Sequence, residues 1–222
     1  MKQKFSNNPL FEEWLAAYQL DREFREEYNS PDYKMETAVR LSSFHRNTMF
    51  EMRTKYSFAI PCDDAIEKVL QYSPLVEIGA GNGYWANVIA SNGGDVVAYD
   101  HIPPRDGGNV FFEKPNQWFD VQKGGPERIA AHRDRTLFIC WPEYREPMAY
   151  DCVKTYKGRY LIYVGEGWGG CTGDDKFHEL LKDKWNLLDR INIPQWDGIH
   201  DFMYVYRRKR PQRGSTRNGT GQ

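Results

Sequence analysis

The stretch Leu75-Val76-Glu77-Ile78-Gly79-Ala80-Gly81-Asn82-Gly83-Tyr84-Trp85 decides the fold of this chain. A short apolar run of strand type meets three alternating glycines and gives way to a helical pattern over 83–92. Glycines at 79, 81 and 83 let the backbone turn tightly and leave no side chain where a ligand must approach. The helix beyond offers free N–H groups to an anion. Sixteen residues past Tyr84, the run Asp95-Val96-Val97-Ala98-Tyr99-Asp100 ends in a lone acid. In open sheets an acid at the carboxyl end of the second strand accepts hydrogen bonds from ribose hydroxyls.

Outward from this motif, strand and helix signals alternate. Strands are expected at 75–79, 95–100, 117–121, 136–140, 159–164, 187–193 and 201–207, with helices at 83–92, 126–132, 147–156 and 174–184. Such alternation implies an α/β fold with a mostly parallel sheet covered on both faces. The last two strands are joined only by the turn-rich Pro194-Gln195-Trp196-Asp197-Gly198, so they should pair antiparallel. Upstream, Leu10, Phe11, Trp14, Leu15 and Tyr18 give 9–28 a helical period. Ser30 as N-cap and Pro31 at the first position start a second helix running to about Arg53, with Met35, Val39 and Phe50 among its apolar positions. A short third helix follows Pro61, begun by Asp63 or Asp64. The chain is expected to divide into a helical extension (1–57), a catalytic-type α/β domain (58–208) and a basic tail (209–222).

On Glu77, Gly79, Gly81 and Gly83, an acid followed by G-x-G-x-G, and on Asp100, the chain resembles the class I S-adenosylmethionine-dependent methyltransferases. The helix-free final strand pair fits the same class, whose Rossmann-like seven-stranded sheet is mostly parallel with an antiparallel last strand. The resemblance covers about residues 58–208 in element order and implies S-adenosyl-L-methionine as cofactor, with no metal. It further implies that Gly79 and Gly81 border the methionyl part, with Ala80 and Gly83 also in the cofactor site, that Glu77 holds the methionyl amine through water, and that Asp100 binds the ribose. Asp120, at the end of the third strand, would accept from the adenine amino group or else cap a turn; Cys140, at the end of the fourth, would border the cofactor. A nicotinamide enzyme would prefer G-x-G-x-x-G, whose third glycine falls where Tyr84 stands. That oxidoreductase reading, and a non-catalytic cofactor-binding module with Phe11, Trp14 and Tyr18 as its interface, remain the alternatives.

The fourth strand runs into Trp141-Pro142-Glu143-Tyr144, which resembles a degenerate N-P-P-Y motif of amino-group methyltransferases acting on nucleobases. Pro142 and Tyr144 match; Trp141 replaces the polar acceptor, which puts nucleobase methylation in doubt, and Glu143 is the alternative base. These four are the candidate catalytic residues, the plain alternative being aromatics that only pack. The fifth strand empties into Gly165-Glu-Gly-Trp-Gly-Gly-Cys-Thr-Gly-Asp-Asp175, read as a loop presenting Glu166 and Trp168, with Thr172 or Asp174 capping the next helix. Tyr56–Pro61 is expected to fold over the cofactor, and His200-Asp201 reads as a structural hydrogen-bonding pair.

Composition narrows the remaining classes. A formal net charge of −1 gives no global field toward nucleic acid or membrane, and no apolar run approaches a membrane span. Cys62, Cys140, Cys152 and Cys171 include no C-x-x-C pair, which points to a reducing, cytoplasmic compartment rather than a disulfide or zinc framework. The tail carries Arg207, Arg208, Lys209, Arg210, Arg213 and Arg217 with no acid among them, and reads as a solvated terminus, or as a phosphate contact or nuclear address. The acceptor (small molecule, protein or nucleic acid) is not specified by any motif.

Overall fold

The computed structural model describes residues 4–32, 34–112 and 116–210. Two long helices, α1 (Pro9–Tyr28) and α2 (Met35–Lys55), and the short α3 (Asp63–Leu70) precede the α/β unit. There follow β1 (Leu75–Ile78), α4 (Tyr84–Ser91), β2 (Val96–Asp100), β3 (Val121–Lys123), β4 (Thr136–Cys140), α5 (Met148–Thr155), β5 (Tyr160–Gly165), α6 (Asp175–Lys184), β6 (Trp185–Asn192) and β7 (Phe202–Arg208). The strands form one sheet in the order β3-β2-β1-β4-β5-β7-β6. The first five are parallel, while β7 lies antiparallel between β5 and β6. The sheet order therefore reverses beside β1, which puts the carboxyl ends of β1, β2 and β4 around one crevice, where open α/β sheets bind ligands.

Both faces of the sheet are buried. Trp85 and Ile89 of α4, with Ala65 and Val69 of α3, cover Leu75, Ala98, Phe138 and Ile162 on one side. Ala149, Cys152 and Val153 of α5, with Phe177 and Leu181 of α6, cover Val76, Ile78, Leu137 and Leu161 on the other. This explains why the central strands read as continuous apolar runs rather than alternating ones.

A third cluster joins the N-terminal helices to this core through Leu10, Tyr56, Ile60, Ile66, Tyr84, Val88 and Trp196. Tyr84 is its polar fastener: the hydroxyl donates to Asn8 Oδ1 at 2.9 Å and accepts from the Leu10 N–H at 2.9 Å. Helices α1 and α2 pack on each other, with Phe24 edge-on to Phe44 at 5.4 Å.

Several expected boundaries move. Ser30 does not start α2; its N–H donates to Glu27 O, closing the end of α1, and α2 begins at Met35 after an extended Lys34. Met35, Val39 and Phe50 are exposed rather than core-facing. The third strand is Val121–Lys123, not 117–121, because Trp118 is drawn under the glycine bend: its N–H donates to Asn82 O and its indole N–H to Lys55 O. The segment at 126–132 forms a 3-10 turn, Pro126–Ala131, instead of an α-helix. Strand β6 follows α6 directly and is an exposed edge in which only Trp185 is buried. Of the basic tail, only Lys209 and Arg210 are described; the remainder, with Arg213 and Arg217, lies outside the described residues. Among the described residues, no helix is long and apolar enough to cross a membrane.

Candidate functional site

The bend after β1 is built by backbone strain that glycine relieves. Gly79, Gly81 and Gly83 have φ of 75°, 57° and 79°, in the left-handed region where a Cβ costs energy. The N–H groups of Gly79 and Ala80 both donate to Tyr99 O, which lashes the bend to β2. Gly81 N–H donates to Asp100 Oδ2 at 2.8 Å, and Ile102 N–H donates to Asp100 Oδ1 at 2.9 Å. The Asp100 carboxylate is thereby aimed at the bend, each oxygen with lone-pair capacity left over. Burial raises its pKa, and those two N–H groups oppose the rise.

Glu77 lies one strand residue before the bend and is 1% exposed. Its Oε2 has no hydrogen-bond partner. Burial first, and the neighbouring Asp100 second, push its pKa up to about 8. A buried carboxylate oxygen with no donor is costly, and a cation would relieve it. Side chains also stand over the bend. A Cβ on Gly81 would meet Phe112 Cε2 at 2.5 Å, and one on Gly79 would meet Met148 Cε at 2.7 Å. Phe112 therefore packs directly against the bend at Gly81.

The fourth-strand quartet is split. Trp141 adopts φ of 50°, its N–H donates to Val164 O at 2.8 Å, and its indole turns inward. Indole Nε1–H donates to Asp201 Oδ2 at 2.7 Å. Pro142 is buried, with its carbonyl accepting from Gly173 N–H. Glu143 and Tyr144 face solvent, and Arg145 stacks over the Tyr144 ring at 4.8 Å. Cys140, buried between Glu77 and Asp201, has its thiol pKa raised, by burial above all. Asp120 is exposed and pairs with Arg105 at 2.7 Å.

Glu166 is not presented to a ligand. Its Oε2 accepts from Cys171 N–H at 2.7 Å and its Oε1 from His200 N–H at 2.8 Å, so it braces its own loop. Burial pushes its pKa up, but these hydrogen bonds outweigh that and leave it lowered. Trp168 is exposed and lines an open cleft of about 670 Å³ with Tyr144, Cys171, His200 and Phe202. Asp174, rather than Thr172, caps α6 by accepting from Phe177 N–H.

His200 and Asp201 do not form the expected pair: the His200 side chain is exposed, and Asp201 is fully buried. Its Oδ1 has no partner, and burial, aided by Glu166, lifts its pKa to about 7 despite the Trp141 hydrogen bond. Arg53, from the last turn of α2, stacks on Phe58 at 4.1 Å and on Trp141 at 5.4 Å. Phe58 in turn touches Trp141, Phe111 and Phe112, which packs the 56–61 segment against the residue after β4. Arg53 does not stand out in the sequence, and Asp201 does so only as the expected partner of His200. Arg53 is one of many charges on a polar helix, and Asp201 lies sixty positions from the tryptophan that holds it.

The strand order with its antiparallel β7, and the acid and glycine bend at the switch point, define a Rossmann-like fold of the class I methyltransferase type. No protein-family model matches the chain, and no curated protein matches it. Among solved structures it is similar to the N-methyltransferase NodS of Bradyrhizobium japonicum WM9 in complex with S-adenosyl-L-homocysteine, at 12% identity over 66% of this chain and 85% of that one, with a TM-score of 0.45. It is similar also to the magnesium protoporphyrin IX methyltransferase ChlM of Synechocystis PCC 6803 with bound SAM, at 10% identity over 94% and 100% of the two chains, TM-score 0.43. A precorrin-6y C5,15-methyltransferase of Geobacter metallireducens GS-15 gives 14% identity over 68% and 92%, TM-score 0.38. These scores, all below one half, add nothing to the fold that the strand order establishes.

Proposed function

We propose that the chain is an S-adenosyl-L-methionine-dependent methyltransferase acting in a reducing, cytoplasmic compartment. The observation that carries this reading is the buried Glu77 with an unpartnered oxygen beside a glycine bend tied to Asp100. A carboxylate short of a donor suits the methionyl ammonium, and the glycine bend of Gly79, Ala80, Gly81 and Gly83 would border the chain that follows it once the Phe112 and Met148 side chains make room. Asp100 keeps acceptor capacity for the ribose hydroxyls, and Cys140 closes the floor between Glu77 and Asp201. Asp120 pairs with Arg105 through Oδ1, which would leave Oδ2 to accept from the adenine amino group. Bound there, the cofactor supplies a methyl group on a sulfonium, which needs no metal and no covalent enzyme intermediate.

Alignment of an acceptor with that methyl carries much of the rate of such reactions, and aromatic faces suit the sulfonium charge. Trp141, Phe58 and Phe112 line the crevice in a way that serves both ends. The nicotinamide alternative is disfavoured because Tyr84, where the third glycine would stand, is buried and bonded to Asn8 and Leu10. Calorimetry with S-adenosylmethionine, S-adenosylhomocysteine and NAD tests the proposal. We expect the first two to bind, and NAD binding without them would overturn it.

A further inference from the structure

The methyl acceptor has to lie beside the cofactor crevice, and the chemistry on that side is unusual. Two groups there are short of partners. Among the described residues, no carboxylate or other acceptor is paired with the half-buried Arg53 guanidinium, which is covered by the rings of Phe58 and Trp141. Asp201, fully buried, has one oxygen on the Trp141 indole and the other bare. Trp141 links the two, with the cation over its ring and the acid on its edge nitrogen. Its left-handed backbone turns the indole into this position at the end of β4.

We propose that Arg53, Trp141 and Asp201 form the acceptor site, and that the acceptor is a small carboxylate carrying a hydroxyl or a non-basic aromatic amine as nucleophile, so that acceptor and product are both net anions. The guanidinium presents planar N–H donors that match a carboxylate, while its aromatic cover leaves the edge for the ligand. A monoanion fits better than a dianion, because Asp201 and the Glu166 carboxylate near it already add acid to the neighbourhood. Asp201 Oδ1 takes the proton. As the nucleophile's lone pair forms the new bond to the methyl carbon, the sulfur–carbon pair leaves with sulfur as a neutral thioether, and the X–H proton passes to Asp201. The group draws on α2, the 56–61 segment, the residue after β4 and the residue before β7. This inference rests on the methyltransferase reading above.

The test incubates the full chain with methyl-labelled S-adenosylmethionine and an extract of its producing cells, then divides products by size and by anion exchange. The expected label is in small molecules retained as anions, from an extract pretreated with alkaline phosphatase to remove phosphate esters. Label only in macromolecules, or only in neutral or cationic small molecules, overturns the inference, as does no label from protein that binds S-adenosylhomocysteine. A chain that fails to bind S-adenosylhomocysteine refutes the methyltransferase reading instead. Arg53→Gln should weaken binding of the purified acceptor at least tenfold by calorimetry, Arg53→Lys should restore part of it, and both should bind S-adenosylhomocysteine as the parent does. Asp201→Asn should lower kcat with little change in KM and remove the acidic limb of the pH profile. Unchanged kcat in Asp201→Asn, or unchanged acceptor binding in Arg53→Gln, sinks the assignment.

Discussion

Gly81 and Asp100 are joined directly, the glycine N–H donating to the carboxylate across 2.8 Å, so the glycine bend after β1 is tied to the acid that ends β2. Nineteen residues separate them in sequence, and the parallel pairing of β1 with β2 brings them together.

Asp100→Ala removes an acceptor for two backbone N–H groups as well as the proposed grip on the ribose. Hydrogen bonds to a charged group are worth about 1.5–3 kcal/mol each, so S-adenosylhomocysteine affinity should fall roughly tenfold to a hundredfold. Calorimetry measures this directly, and an unchanged Kd would remove the ribose from Asp100.

Gly81→Ala combines left-handed backbone with a Cβ 2.5 Å from Phe112. The conformational penalty alone is about 1–2 kcal/mol, and thermal melting should show at least that loss. Adding Phe112→Ala clears the steric part only. The double variant should recover some stability relative to Gly81→Ala plus the cost of Phe112→Ala alone; strict additivity would show that the ring and the bend do not interact.

Glu77 titrates in the folded chain near 8 against an ordinary 4.5, so the folded form holds a proton that the unfolded form releases between those values. Its contribution to stability is complete below about 4.5 and is lost as pH rises through about 8. Asp100 and the Cys140 thiol face it, and neither supplies a cation. Denaturant melts of Glu77→Gln should therefore vary less than the parent's between these pH values. Binding a ligand ammonium should expel the proton: at pH 7 the enthalpy of S-adenosylhomocysteine binding should change with the buffer's ionisation enthalpy in the parent, and not in Glu77→Gln.

Tyr84→Phe leaves the Leu10 N–H without its acceptor and takes a donor from Asn8 Oδ1. Loss of such buried bonds costs about 1–3 kcal/mol. Stability should drop by that order while S-adenosylhomocysteine affinity stays within about twofold, since the hydroxyl points toward α1 and away from the bend. A matched loss of affinity would show that the N-terminal helices hold the cofactor site in shape.

Much of the molecule was readable from residue order because its causes are local. Apolar runs of four to six residues, the alternation with helical periods and glycines that tolerate positive φ are properties of adjacent residues, and they carried the sheet, its antiparallel end and the bend with Glu77 and Asp100. The third-strand boundary moved because distant partners overrode the local signal, the glycine turn and the end of α2 claiming Trp118. The candidate catalytic quartet divided for the same reason: its spacing says nothing of which residue turns inward. Only the tertiary structure decided that Trp141 does so, because β7 inserts between β5 and β6 and carries Asp201 to its indole while α2 lays Arg53 across its ring. Residues sixty and more positions apart leave no mark on one another in a single sequence. Their burial, charge and missing partners come into being only when the chain closes around them.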